Sequence, residues 1–199
     1  MHTLIFATNN RNKVAEIQSL VGNNFNIIPL KEAGIDIDIP EPHDQFEANA
    51  AEKARTIFSM TQQNCFSEDT GLEISTLNGA PGVKSARYAG ENRDFQANID
   101  LVLSKMKGIK DRSAQFRTVI CLIWQGKEYY FEGICKGQIS TEMHGENGFG
   151  YDPIFIPEGA TKSFASMTME EKHQYSHRQK AVTQLFEFLS KKQVDSTIE

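Results

Sequence analysis

The segment that decides the fold is residues 4–21, which read LIFATNNRNKVAEIQSLV. It opens with four apolar residues, as a short buried strand does, and turns polar at residues 8–10. Apolar residues then recur through residues 14–21 at the spacing of one helix face, and Asn10 stands where a helix N-cap is expected. A strand, a polar turn and a helix in this order are typical of an α/β protein.

A second helix is predicted at about residues 43–63, after the Pro-Glu-Pro segment at 40–42. The face of this helix that carries its apolar residues also carries Asn49 and Lys53. Two interpretations are open. Either Lys53 extends its charged end into water from the edge of that face, or the helix lines a polar cleft.

The rest of the chain adds a hairpin and two more helices. We predict short strands at 65–67 and 72–74 around a turn at 68–71, a helix at about 94–106, a hairpin of 116–124 with 128–139, and a final helix from Ser176. Because early strands and helices alternate and a long hairpin follows, we expect a mixed sheet within one folded unit.

Composition excludes several classes of protein. The 199 residues carry 21 Lys and Arg against 26 Asp and Glu, a net charge of −5, which argues against binding to a nucleic-acid polymer. No apolar run approaches the ~20 residues of a membrane span, and the N-terminus lacks the basic and apolar regions of a signal peptide. The three cysteines match no metal or Cys-x-x-Cys spacing, so we expect reduced, buried thiols in a cytoplasmic protein.

Two segments of the N-terminal half are candidates for phosphate and metal chemistry. Residues 8–13 form a strand-to-helix turn, and a helix N-terminus suits a phosphate, although an ordinary capped turn fits equally. Glu68 and Asp69 are adjacent carboxylates, and Mg²⁺ takes such oxygen ligands together with substrate phosphates. Paired acids are also common in structural turns. The acids between residues 32 and 52, which no Lys or Arg accompanies, form either a solvated face or a site where one or two of them hold a cation.

Two further segments suit a base and a polyanion. Three glycines surround Phe149, whose ring could stack on a base, while Asp152 offers hydrogen-bond acceptors for a base edge. A glycine-rich turn before a strand is the simpler interpretation. His177 and Arg178 stand in the first turn of the final helix, where donors and cations favour a bound anion.

Taken together, these segments resemble the inosine triphosphate pyrophosphatase family, the enzymes that hydrolyse non-standard purine nucleoside triphosphates. The matching segments occur in the family's order and cover nearly the whole chain: residues 7–13, 46–50 with Lys53, 68–72, 77–83 leading into 85–90, 148–153 and 176–178. Any one of them is a weak signal, but six in order are specific. This chain has Glu68-Asp69-Thr70 where many relatives have two aspartates and a serine.

The resemblance implies a fold and an activity. The expected fold is a single α/β domain over residues 1–199, elongated and two-lobed, with a long mixed β-sheet flanked by helices and a central substrate cleft. The expected reaction is the Mg²⁺-dependent hydrolysis of ITP, dITP and XTP to the monophosphate and pyrophosphate, which removes them from the nucleotide pool. The expected protein is a cytoplasmic homodimer that binds neither a nucleic-acid polymer nor a membrane.

The resemblance also implies roles for individual residues. Asp69 matches the proton acceptor and a metal ligand, Glu41 matches a second metal ligand, and Glu68 is a further candidate for one. The expected substrate-binding residues are Thr8, Asn9, Asn10, Arg11, Asn12, Lys13, Lys53, Thr70, Phe149, Gly150, Tyr151, Asp152, Lys172, His177 and Arg178. Within this set Lys13 and Lys53 neutralise the triphosphate, and His177 and Arg178 donate to the 6-oxo group of the base.

Two rival functions remain open at this point. A septum-inhibitor type of nucleotidase with a related fold would act on modified pyrimidine or standard nucleotides, and nothing in that class requires the combination of Phe149, His177 and Arg178. A nucleotide sensor would bind without turnover, yet such a protein has no need of Glu41, Glu68 and Asp69.

Overall fold

The structure is a computed structural model that describes residues 2–21 and 25–195. Within them, six strands form one sheet in the order β2-β1-β3-β4-β5-β6. The strands are β1 His2–Phe6, β2 Phe25–Pro29, β3 Cys65–Ile74, β4 Ser113–Trp124, β5 Lys127–Ile139 and β6 Phe155–Pro157. Because β1 runs parallel to β2 and β3 while β5 and β6 are antiparallel, the sheet is mixed, as the sequence predicted.

The α-helices of the described residues are α1 Arg11–Leu20, α2 Phe46–Thr61, α3 Phe95–Lys105, α4 Met169–His173 and α5 His177–Asp195. The predicted start of α1 is confirmed, because the Asn10 side chain accepts hydrogen bonds from the backbone N–H groups of Asn12 and Lys13. In α3, the Asp94 side chain caps the helix through the N–H of Ala97. None of the helices described is both long enough and apolar enough to cross a bilayer.

The chain divides into two compact units, each with its own hydrophobic core. Unit 1 consists of Met1–Asp69, Thr118–Gly133 and Arg178–Glu199, and unit 2 of Thr70–Arg117 and Ile134–His177. The core of unit 1 includes Leu4, Phe6, Ile17, Phe66, Ile120, Leu122, Ala181, Val182, Leu185 and Leu189. The core of unit 2 includes Leu72, Ile74, Ile99, Val102, Met106, Phe116, Phe155 and Phe164.

The hairpin of β4 and β5 turns at the predicted place. Gln125 and Gly126 connect the strands, with φ angles of 51° and 75°. Two successive residues with positive φ match the right-handed twist of the flanking strands, which is why short hairpins favour such turns. Gly126 takes this conformation without steric cost.

The predicted turn at residues 68–71 is wrong. Residues 65–74 form the single continuous strand β3, so Glu68 and Asp69 lie in the middle of a strand. Adjacent residues of a strand point to opposite faces of the sheet, which separates the two carboxylates without a turn. Local sequence favoured a turn because two acids and a glycine are poor strand formers.

All three cysteines are free and buried, as predicted. Cys65 and Cys121 lie in unit 1, and Cys135 lies in unit 2. Burial raises the pKa of Cys65 and of Cys121 to about 12. These thiols are therefore protonated at neutral pH.

One exposed ion pair joins α2 to the start of β5 within unit 1. Arg55 donates two hydrogen bonds to the Glu128 carboxylate, from Nε at 2.6 Å and from Nη2 at 2.8 Å. This hydrogen bonding holds the pKa of Glu128 below its ordinary value. A carboxyl group whose pKa is lower in the folded state stabilises the fold above its unfolded pKa, and that contribution disappears as the pH falls.

We therefore expect Glu128→Gln to lower the free energy of unfolding at pH 7 by only about 0.2–1 kcal/mol, because 58% of the Arg55 side chain is exposed. The difference from wild type should shrink as the pH falls below about 4, where the carboxyl becomes protonated in both states. Urea denaturation at pH 7 and below about pH 4 measures this difference in the free energy of unfolding. Glu187→Gln is the control, because Glu187 is exposed. A difference that is independent of pH would contradict this origin.

Candidate active site

The turn after β1 presents the first group of predicted binding residues. Asn9, Arg11 and Asn12 are exposed, and Thr8, Asn10 and Lys13 are half-buried. The hydroxyl of Thr8 accepts a hydrogen bond from the N–H of Asn10 at 3.1 Å, which fixes the turn. Since the Asn10 side chain already occupies two N–H groups of α1, a ligand would meet the positive helix end and the side chains of this segment.

Glu68 is the centre of a buried ion-pair network in unit 1. Its side chain has no exposed surface and accepts hydrogen bonds from Arg178 Nε at 3.1 and 2.9 Å. Lys13 Nζ lies 3.1 Å from the same carboxylate. Burial alone would raise the pKa of Glu68, but the charges and hydrogen bonds of Arg178 and Lys13 lower it to about 2.

Glu16 is the fourth member of this network. It lies on α1, is 8% exposed, and accepts a hydrogen bond from Arg178 Nη1. Two carboxylates and two cations are thus brought together by α1, β3 and α5. Burying such charges is unfavourable unless each one is paired, and here the pairs balance.

Asp69 points into a second cluster, formed with Glu41, Asn49 and Lys53. Asp69 is 5% exposed, and its Oδ2 accepts a hydrogen bond from Asn49 Nδ2 at 3.1 Å. Burial raises the pKa of Asp69, and the charge of Lys53 opposes this effect only in part. A carboxyl group with a raised pKa is suited to accept a proton.

Lys53 is held at the base of this second cluster. Its ammonium donates to the Glu41 carboxylate and, at 2.7 Å, to the backbone carbonyl of Glu68. Asn49 and Lys53 are both buried, so the interpretation in which Lys53 extends its charged end into water is wrong. Asn49 also accepts from the N–H of His43 and donates to its carbonyl, which fixes the segment before α2.

The chemistry of these donors fits a magnesium ion. Mg²⁺ binds one or two protein carboxylates together with substrate phosphates and water. The charge of Glu41 raises the pKa of Asp69, so a cation shared by both would relieve their repulsion. No group of three or more His, Cys, Asp or Glu residues able to hold a metal is found among residues 2–21 and 25–195. The magnesium site to test is therefore the pair of Asp69 and Glu41. Glu68 is the weaker candidate ligand, because Arg178 and Lys13 already neutralise its charge.

The loop of residues 148–152 belongs to unit 2 and contains the predicted base-stacking residue. The Phe149 ring is half-buried, 6.2 Å from the ring of Phe95, and Lys172 Nζ lies 5.5 Å from its centroid. Asp152 Oδ2 accepts from the Phe149 N–H at 2.9 Å and from Lys172 Nζ at 2.7 Å. This carboxylate therefore shapes the loop from inside. A Cβ at Gly148 would overlap it, which explains the glycine there.

His177 and Tyr151 are buried within unit 2. The His177 imidazole stacks on the Phe116 ring, with centroids 4.7 Å apart and planes inclined by 11°. The Tyr151 hydroxyl donates to the backbone carbonyl of Ser85 at 2.8 Å. Thr70 is half-buried and follows Asp69 in β3, while Gly150 is half-buried beside Phe149.

The structure gives several of the predicted residues partners inside the protein. Arg178, predicted to meet the base, binds Glu68 and Glu16. Asp152, predicted to meet the base edge, binds Lys172. Glu16 is not among the residues predicted for the site. Its signal was an acid beside the buried Ile17, three residues after Lys13 on the same helix.

Comparison with known proteins places these residues in a family context. The model of the Ham1 family matches residues 4–188 of the chain. A dITP/XTP pyrophosphatase of Flavobacterium johnsoniae is 48% identical over 187 residues, which cover 94% of this chain and 97% of that protein. A dITP/XTP pyrophosphatase of Porphyromonas gingivalis is 47% identical over 190 residues, which cover 95% and 98%.

Solved structures show the same similarity. The Ham1 protein of Staphylococcus aureus matches with a TM-score of 0.87 and 37% identity, over 96% of this chain and 99% of that one. The HAM1 protein of Coxiella burnetii matches with a TM-score of 0.88 and 36% identity, over 96% of this chain and all of that one. The α/β fold expected from the sequence is confirmed by these matches.

We expect Arg178→Met to destabilise the protein by about 3–5 kcal/mol, because it leaves Glu16 and Glu68 buried without their shared cation. Chemical denaturation measures the loss. Arg11→Met is the matched control, since Arg11 is exposed and its replacement should change the free energy of unfolding by less than about 0.5 kcal/mol. Equal effects of the two substitutions would show that the network contributes nothing to stability.

Proposed function

Because this chain belongs to the Ham1 family, we propose that its two groups of polar residues carry out a pyrophosphatase reaction on a purine nucleoside triphosphate. The chain is a nucleoside triphosphate pyrophosphatase, and its substrates are non-standard purine nucleotides such as dITP and XTP. The observation that supports the proposed chemistry best is Asp69, a buried carboxyl group with a raised pKa among lysines and a second acid.

In this proposal, the residues of unit 1 act on the triphosphate. Lys13 and the turn of residues 8–12 bind the phosphates, and Lys53 neutralises charge that develops on the pyrophosphate leaving group. Asp69 accepts a proton from the attacking water, whose oxygen forms the new bond to the α-phosphorus as the bond to the bridging oxygen breaks. Glu68 and Arg178 act indirectly, since their ion pairs hold Lys13 in place.

Asp69 and Glu41 would hold Mg²⁺, which supplies Lewis-acid activation of the phosphate groups when bound. Lys53 pairs with Glu41 in the structure, and its ammonium group can then bind the phosphates instead. Magnesium dependence and a homodimer come from the family resemblance, and a cytoplasmic location from the resemblance and the cysteine pattern; all three are parts of this proposal.

The residues of unit 2 recognise the base. The Phe149 ring stacks on it, and Asp152 and Lys172 hold the loop that carries this ring. His177 is the proposed donor to the 6-oxo group. A buried donor that faced the amino group of adenine would lose its acceptor, which is costly and so favours hypoxanthine and xanthine.

Asp69→Asn should lower kcat for ITP by about 10²–10⁴-fold while KM changes much less, because the proton acceptor is lost and substrate-binding groups remain. Pyrophosphate release under steady-state conditions measures both constants. Asp111→Asn is the control, since Asp111 is exposed and, among the contacts described, its side chain bonds only to Ser113. Near-normal turnover by Asp69→Asn would remove Asp69 from its proposed role.

The substrate range separates the proposal from its rivals. The wild-type protein should release pyrophosphate from ITP, dITP and XTP far faster than from ATP and GTP. EDTA should abolish this activity, and added Mg²⁺ should restore it. Turnover confined to ATP, GTP or pyrimidine nucleotides would favour the septum-inhibitor type of nucleotidase, and tight binding of ITP without turnover would favour a sensor.

A further inference from the structure

Beyond Asp69, strand β3 belongs to unit 2 and makes a close contact with another segment of that unit. The N–H of Leu72 is bonded to the Ser85 hydroxyl at 2.9 Å, so a side chain takes the place of a neighbouring strand. Ser85 Oγ in turn donates to the carbonyl of Gly82 at 2.6 Å, which orients its lone pairs toward Leu72. Ser85 and Leu72 are both buried.

Gly71 makes this contact possible. A Cβ at this position would overlap the carbonyl oxygen of Gly82 and crowd Ser85 Oγ, so the 3₁₀ segment Gly82–Arg87 lies directly against the backbone of β3. The contact begins two residues after Asp69. The 3₁₀ segment thus packs on the strand that carries Asp69, the proposed proton acceptor.

Tyr151 connects the same segment to the loop of residues 148–152. Its side chain is 4% exposed, and its hydroxyl donates to the Ser85 carbonyl at 2.8 Å. Burial raises the pKa of Tyr151, and Tyr88 raises it further, so the phenol keeps the proton that it donates. Tyr151 follows Phe149, the proposed base-stacking residue, by two positions.

Asn98 holds the other end of the 3₁₀ segment. This α3 residue is 2% exposed, donates to the carbonyl of Ala86 at 3.0 Å and accepts from the N–H of Ala89 at 2.7 Å. The segment is thus fixed by α3 on one side and by Tyr151 on the other.

We propose that Tyr151 and Ser85 are positioning residues, and that the hydrogen bonds from Tyr151 through Ser85 to Leu72 couple the base-binding loop to the catalytic strand. The inference rests on the proposed function and deepens it. Neither side chain needs to touch the substrate. A base seated on Phe149 orders the loop, Tyr151 then fixes Ser85, and Ser85 fixes β3 at Leu72, three residues after Asp69. The coupling makes hydrolysis sensitive to the base.

The test compares Tyr151→Phe and Ser85→Ala, singly and together, with wild type. Tyr151→Phe removes one oxygen atom and keeps the ring. We expect its kcat for ITP to fall about tenfold, with KM changed less than about threefold, because misplaced reacting groups lower turnover more than binding. Its ratio of kcat/KM for ITP over ATP should fall as well. Since both residues act through one path, the double variant should be no slower than the slower single variant.

Tyr130→Phe is the matched control. It also removes a hydroxyl that is bonded, in this case to Glu128 at 2.9 Å, and it should keep the kcat of wild type. Melting temperatures of all variants are measured, and each is assayed well below its own. If Ser85→Ala fails to fold, Tyr151→Phe decides the question alone.

The outcomes separate the two proposals. If the wild-type protein fails to hydrolyse ITP, the proposed function fails. If the wild type is active and Tyr151→Phe retains its kcat, or if the losses in the two single variants simply multiply in the double variant, the positioning role is overturned while the proposed function stands.

Discussion

The interaction on which unit 1 depends is the burial of one arginine between two acids. The Arg178 side chain is 2% exposed, and its partners Glu68 and Glu16 are separated from it by 110 and 162 residues of sequence. A guanidinium cannot be taken out of water unless its charge is matched. Helix α5, strand β3 and helix α1 must therefore meet before any of these charges is stable. The same requirement leaves Lys13 at the edge of the network, with 16% of its side chain exposed.

Sequence predicted the parts of the fold that local chemistry decides. The Asn10 cap and the Gln125-Gly126 turn each depend on residues within three positions of one another. The continuity of β3 could not be predicted in this way. Its two acids are stabilised by groups that lie elsewhere in the chain, such as Arg178 for Glu68 and Asn49 for Asp69. The local sequence indicates that burying these two acids is unfavourable, but it does not show the distant residues that stabilise them.

The candidate site shows a similar division. Motifs predicted which positions belong to the site, but they did not show which of those side chains bond to the protein itself. Asp152 is an acceptor, as expected, yet the described contacts of its Oδ2 are with Phe149 and Lys172 of its own unit. Tyr151 likewise donates to Ser85. Glu16 could not be predicted from sequence because a single acid on a short helix is normally exposed. Its buried position follows from its ion pair with Arg178, which is distant in the sequence.

The buried cysteines make local unfolding of the protein measurable by thiol alkylation. A thiol attacks a reagent only as the thiolate, and Cys65 and Cys121 are kept protonated by the same burial that shields them. Alkylation must therefore wait until the surrounding structure opens, so its rate reports the frequency of that event. Cys135 lies in unit 2, and Cys65 and Cys121 lie in unit 1. One labelling experiment can therefore measure the rate of local opening in each unit separately.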